Sequence, residues 1–237
     1  MNFEEFKKEF LNNIKDIKVT EEQIKMFYDY MIQILEWNQK INLTSITNEK
    51  EFIIKHFIDS LTVNKYLEGK QSIIDIGTGA GFPGMPLKIV NKEKKIVLVD
   101  SINKKLNVIR NINERIKLDN LEIIHSRAED LGINSQYREK FDVATTRAVS
   151  NLSTILEYML PFVKVGGLAI CMKGPNYEDE LKLATKAISV LGGKLEKIEN
   201  INIDRELQRN LVIIKKIKNT PNKYPRGKAK PLKEPII

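Results

Sequence analysis

The residues with the clearest chemical content lie between Ile73 and Gly84, in "IIDIGTGAGFPG". Asp75 stands near the end of an apolar run, and glycines follow at Gly77, Gly79, Gly81 and Gly84. A turn this poor in side chains lets backbone amides come close to a bound molecule. A second carboxylate, Asp100, closes the next apolar run, "KIVLVD". Two ligand classes compete for this arrangement. Gly79-Ala80-Gly81-Phe82-Pro83-Gly84 matches the dinucleotide fingerprint G-x-G-x-x-G, with Asp100 where a ribose-binding acid is expected. In that motif, however, the first glycine comes directly off the strand. Counting from Gly77, the third glycine position falls on Phe82. A carboxylate at Asp75 facing the crevice would also oppose a pyrophosphate and attract a cation. S-adenosyl-L-methionine answers that demand. Its ammonium and sulfonium would lie near the turn, Thr78 included, and its ribose hydroxyls on Asp100. No Lys-Ser or Lys-Thr follows the glycines, so the turn is not a P-loop.

Few other groups could carry chemistry. Arg147, after "FDVATT", could clamp a carboxylate, hydrogen-bond guanine O6 or hold a phosphate. His125 ends the third apolar run and could line an adenine pocket or be an ordinary hydrogen-bonded histidine; His56 reads as structural. Attack on a pyrimidine ring carbon would need a thiolate. Cys171 sits in apolar "LAICMK", which suits an inert core position better. Two histidines and one cysteine make no metal site. The Asn/Asp-Pro-Pro-aromatic turn that accompanies methylation of adenine amines is replaced by Thr145-Thr146-Arg147. No general base stands out.

These positions need a scaffold, and the elements can be read from periodicity. Six strand-length runs rich in β-branched residues, "SIIDI", "KIVLVD", "LEIIH", "DVATT", "GLAICMK" and "NLVIIKK", alternate with amphipathic segments. In "SINKKLNVIRNINERIK", Ile102, Leu106, Ile109, Ile112 and Ile116 share one helical face behind Ser101 as N-cap. "NLSTILEYML" and "EDELKLATKAISVL" supply further helices. The alternation implies an α/β protein with a mostly parallel sheet and a ligand beyond the C-terminal strand ends. Upstream, Thr20 and Gln23 form a capping box before a helix that places Ile24, Phe27, Tyr28, Met31, Ile34 and Leu35 together. "EFIIKHFIDSLTVNKYL" reads as another helix, with "WNQKINLTSITNE" breaking the pattern between them. The expected division is a helical lobe over 1–67, a Rossmann-like domain over 68–216 and a basic tail over 217–237.

Of the 237 residues, 42% are hydrophobic and 30% charged, ordinary for a globular chain. No apolar run approaches the roughly 18 residues a membrane helix needs, and "MNFEEFKKEFLNN" has no signal-peptide core. With a lone cysteine, a cytoplasmic, membrane-free protein is expected. The net charge of +8 is concentrated from Lys215 onward, where eight basic residues face only Glu234. A cationic, proline-containing end on a nearly neutral body suits either a polyanion-gripping arm or a frayed terminus.

"DIGTGAGFPGMPL", "RAED" at Arg127 to Asp130, "FDVATTRAVS" and "WNQKINLTSI" together resemble the bacterial small-subunit rRNA guanine-N7 methyltransferases, also called glucose-inhibited division protein B. The likeness spans nearly the whole chain. It implies a Rossmann-like class I S-adenosylmethionine-dependent methyltransferase, with a mostly parallel seven-stranded sheet behind an N-terminal helical extension. The implied product is 7-methylguanine in 16S rRNA, free or within the small ribosomal subunit; a monomer is expected. By motif, Gly77 and Phe82 would line the cofactor site, Ala128 and Glu129 would meet the adenine, and Arg147 would contact cofactor or substrate. "YPR" at Tyr224 to Arg226 matches the family's basic ending, whereas "GKAKPLKEP" departs from its usual "KAGTP" continuation. Guanine N7 already presents a lone pair, so the absence of an evident general base suits it. A small-molecule methyltransferase, a nicotinamide-linked oxidoreductase and a non-catalytic rRNA-binding protein remain the alternatives.

Overall fold

Period-two alternation along the strands sorts the apolar side chains onto two faces of one sheet. Ile73, Leu98, Val143, Ile170 and Ile213 join one core, and their neighbours Ile74, Val97, Ala144, Cys171 and Val212 join the other. The computed structural model describes residues 1–147, 150–203 and 208–237. Its strands are β1 (Ser72–Ile76), β2 (Lys95–Asp100), β3 (Leu121–His125), β4 (Phe141–Arg147), β5 (Val163–Lys173), β6 (Gly193–Asn202) and β7 (Gln208–Lys216). They form a seven-stranded sheet in the order β3-β2-β1-β4-β5-β7-β6. The first five are parallel, while β7 runs antiparallel to β5 and β6. β1 is therefore central, and the turn leaving it opens at the point where the strand order reverses.

The helices are α1 (Phe3–Asn13), α2 (Glu21–Asn38), α3 (Glu49–Phe52), α4 (Asp59–Leu61), α5 (Gly84–Val90), α6 (Asn103–Ile116), α7 (Ala128–Leu131), α8 (Leu152–Met159), α9 (Tyr177–Val190) and α10 (Lys230–Lys233). α2 begins with the capping box expected at Thr20 and Gln23. The single helix expected from "EFIIKHFIDSLTVNKYL" is instead α3, a π-helical turn over Ile53–Ile58, α4 and a short 3-10 turn. The wider π turn rotates His56 and Phe57 relative to an unbroken α-helix, and such turns recur at functional sites.

The N-terminal helices do not enclose a core of their own. Phe6, Phe10, Phe27 and Phe57 belong to the cluster that also contains Ile73, Leu98 and the buried face of α6. Phe10 and Phe27 rings lie 4.8 Å apart, and Phe27 and Phe57 4.9 Å apart. The opposite face is covered by α8 and α9.

Two sequence expectations change here. Ser101 does not cap α6; its N-cap position is Ile102, with no side-chain cap. Asp100 Oδ1 accepts from the Ile102 amide at 2.8 Å instead. Ile102 accordingly leaves the buried face and is 48% exposed. The stretch after β7 is not a free arm. Arg226 forks onto the fully buried carboxylate of Glu157, and Pro231 is buried.

Candidate functional site

The β1–α5 turn is built around Asp75. Its Oδ2 accepts from Thr78 Oγ1 at 2.7 Å and from the Gly84 amide at 2.9 Å, and its Oδ1 accepts from Thr145 Oγ1 at 3.3 Å. The carboxylate is fully buried and lies beneath the cavity rather than on its wall. Burial pushes its pKa up to about 6, with the Thr78 and Gly84 hydrogen bonds and the Arg147 charge pulling the other way. The sequence reading placed this carboxylate facing the ligand; the three donors that close over it explain why it is sealed in and staples the turn.

Glycine is required where that turn meets its neighbours. A Cβ on Gly84 would come 2.1 Å from Leu98 Cδ2 and 2.9 Å from Asp75 Oδ2. Gly81 has φ +103°, and a Cβ there would lie 2.5 Å from Tyr30 Oη. Gly81 is thus not on the cavity wall either; it lets α2 approach, so that Tyr30 donates to the Ala80 carbonyl at 2.6 Å.

Above the turn lies a cavity of about 530 Å³ at the C-terminal ends of β1, β2 and β4. Gly77, Thr78, Gly79, Phe82, Asp100, Ala128, Glu129 and Arg147, eight of the ten residues expected from sequence, line it. Leu43, His56, Ile102, Lys105, Arg127 and Tyr158 line it as well. Asp100 Oδ2 accepts from the Gly79 amide at 2.8 Å, which ties the end of β2 to the glycine turn. Each carboxylate oxygen can accept twice, so acceptor capacity remains for a ligand's hydroxyls. His125 does not line the cavity; its Nε2 lies 3.1 Å from the Ser101 carbonyl. Ala148 and Val149, within the "FDVATTRAVS" motif, lie outside the described residues. Lys105, Arg127 and Arg147 share the wall with Asp100 and Glu129, so it carries both signs.

The most connected side chain is Arg147. Its Nη1 donates to the Lys55 carbonyl and to Asp59 Oδ2, both at 3.0 Å, and its Nη2 lies 2.9 Å from His56 Nδ1. The guanidinium also sits 4.9 Å from the Phe82 ring centroid. Arg209 of β7 also binds Asp59, at 2.6 Å and 2.7 Å. A guanidinium can only donate, so His56 Nδ1 must accept. The proton of the neutral ring is then on Nε2, 2.8 Å from Thr44 Oγ1. Burial and the Arg147 charge push the His56 pKa down to about 3. His56 also stacks on Phe82, with centroids 4.4 Å apart. His56, structural by its sequence context, also lines the cavity, through partners from the loop after α2 and from β4 that no local pattern brings together. Cys171 is buried with its thiol pushed up to about 12 by desolvation, which removes it as a nucleophile at neutral pH. Among the described residues no three His, Cys, Asp or Glu side chains are grouped to hold a metal. No described helix is long and apolar enough to cross a membrane.

Residues 23–212 match the family model described as "GidB: rRNA small subunit methyltransferase G". The chain belongs to this family. Its relatives include the ribosomal RNA small subunit methyltransferase G of Clostridium novyi, 48% identical over 94% of this chain and 93% of that one. The protein of the same name from Alkaliphilus oremlandii is also 48% identical, over 93% of this chain and 94% of its own. Among solved structures, an rRNA methylase from Streptococcus thermophilus superposes with a TM-score of 0.51 at 16% identity, over 66% of this chain and 95% of that one. TrmK of M. capricolum, solved with S-adenosyl-homocysteine, gives 0.52 at 20% identity, over 72% of each chain. At those identities the structures speak for the fold alone, and the fold is that of the class I methyltransferases, with its antiparallel β7.

Proposed function

We propose that this chain uses S-adenosyl-L-methionine to methylate N7 of a guanine in 16S rRNA, as a monomeric cytoplasmic enzyme acting on the free RNA or the small ribosomal subunit. The observation that carries the reading is the glycine turn bound to Asp100 at a cavity of about 530 Å³, within the range of small-molecule sites. The residues fit the donor. Asp100 has acceptor capacity for a ribose diol, Ala128 and Ile102 offer apolar surface for a base, and the walls of mixed charge suit a ligand carrying a carboxylate, an ammonium and a sulfonium. Gly77, Thr78, Gly79 and Phe82 would hold its amino-acid end, Asp100 its ribose, and Ala128 and Glu129 its adenine. Asp75 and Gly81 would contribute by shaping the turn.

Bound there, S-adenosylmethionine supplies an electrophilic methyl group whose transfer neutralises the sulfonium. The protein's own part is orientation, which can be worth about 7–11 kcal/mol when the reacting atoms are held in line. Guanine N7 has no proton to lose, so no base is needed. His56 suits that economy: with Nδ1 committed to Arg147 and its pKa near 3, it stays neutral and cannot take a proton at neutral pH. Arg147 presents a fixed guanidinium on the cavity wall, where it would orient the purine or a phosphate. The helices over 1–67 would complete the rim, the domain over 68–216 would carry the cofactor, and the exposed lysines of 217–237 would meet RNA phosphates.

Incubation with methyl-labelled S-adenosylmethionine and under-methylated 16S rRNA, followed by nucleoside mass spectrometry, tests this. Label in 7-methylguanine is the expected result. Label confined to a protein, a small molecule or another nucleoside would refute it.

A further inference from the structure

Glu129 forms part of the cavity wall, and its carboxylate is held from outside by the C-terminal segment. Oε1 accepts from the Ala229 amide at 3.1 Å. Three residues earlier, Arg226 binds Glu157 Oε1 through its backbone amide at 2.8 Å and Oε2 through Nη2 at 2.7 Å. Glu157 is fully buried, and the next residue of α8, Tyr158, lines the cavity. Arg138 Nη1 bridges the Gly132 carbonyl at 3.0 Å, just after α7, and the Tyr224 carbonyl at 2.8 Å. Pro225 packs so closely that a Cβ on Gly132 would lie 3.0 Å from its Cγ. Both helices that wall this side of the cavity are therefore braced by residues 224–229.

Given the reading of the cavity as an S-adenosyl nucleoside site, we propose that residues 224–229 are a brace that positions its adenine-side wall, with Arg226 as the principal positioning residue. A bidentate arginine–carboxylate pair fixes orientation as well as distance. Without Arg226 the Glu157 carboxylate would be buried and unpaired, and α8 would have to shift to hydrate it. Arg226 is also committed to the Glu234 carbonyl at 2.8 Å, so it serves the pocket rather than RNA. Coupling of this kind is reciprocal: if the brace strengthens nucleoside binding, the nucleoside strengthens docking of the brace.

Two measurements with S-adenosylhomocysteine test it. In the intact protein, the ligand should slow amide hydrogen exchange across residues 224–231, Ala229 above all; binding that leaves those amides unchanged would overturn the brace. Calorimetry on Arg226→Ala should show binding weakened by about 5- to 150-fold. At saturating cofactor its kcat and its KM for rRNA should stay within about twofold of wild type. An unchanged affinity, or a loss confined to the KM for rRNA, would overturn it. If Arg226→Ala does not fold, the exchange experiment decides alone. Absence of any binding to the intact protein would instead remove the nucleoside reading, and the brace with it.

Discussion

Asp59 Oδ2 accepts a 3.0 Å hydrogen bond from Arg147 Nη1, joining a helix that precedes the sheet to the C-terminal end of its fourth strand. The same carboxylate, fully buried, also binds Arg209. One buried negative charge thus holds two cations beside the cavity, and the N-terminal helices become part of the site rather than an appendage.

Removing that charge leaves two guanidiniums facing each other in a place water reaches poorly. Asp59→Ala should lower stability by about 3–5 kcal/mol, as breaking a buried pair does. Urea unfolding monitored by circular dichroism measures it; a loss below about 1 kcal/mol would mean the cluster is hydrated and contributes little.

His56 makes stability depend on pH. Its folded pKa is depressed to about 3 from the usual 6.5, so its contribution is complete above pH 6.5 and is lost as pH falls towards 3. At pH 5 the deficit should be about 2 kcal/mol. His56→Asn removes the titrating group, so the variant should lose about that much less than wild type between pH 7 and pH 5. Parallel stability curves over that range would contradict the neutral, Arg147-bonded imidazole.

Much of this architecture was legible in the chain because strands and amphipathic helices repeat locally. β1, β2 and β3 coincide with the apolar runs that mark them. β6 was not visible: as the sheet's outer strand in "GKLEKIENIN" it is largely exposed, so no apolar alternation marks it. In the site, the glycine turn and Asp100 were readable because one segment carries the spacing. Asp75 was misplaced towards the ligand because burial depends on Thr78, Gly84 and Thr145 closing over it, one of them from another strand. The place of Arg226 was hidden for the same reason, since net charge cannot tell a docked arginine from a free one.

Close packing at Gly84 gives a sharper contrast. Gly84→Ala should cost about 1–3 kcal/mol or more, because the methyl must displace Leu98 and the Asp75 carboxylate. Gly174, with nothing within 4 Å of a built Cβ, is the control. Its alanine variant should stay within about 0.5 kcal/mol of wild type. Equal thermal midpoints for the two variants would contradict the packing at the turn.

Four exposed lysines of the C-terminal segment, Lys223, Lys228, Lys230 and Lys233, remain available for RNA while Arg226 does not. Replacing all four with alanine should weaken rRNA binding and make it less salt-dependent. The slope of log affinity against log salt should shrink by about 0.7–0.9 for each phosphate that is no longer neutralised. An unaltered slope would place the RNA elsewhere.

The central claim is that the cavity beyond β1 and β2 receives an S-adenosyl nucleoside with Asp100 on its ribose. A crystal structure of the protein with S-adenosylhomocysteine tests it most directly. The account predicts both ribose hydroxyls on the Asp100 carboxylate and the adenine against Ala128 and Glu129. The same ligand bound elsewhere, or in this cavity with its ribose away from Asp100, would contradict it.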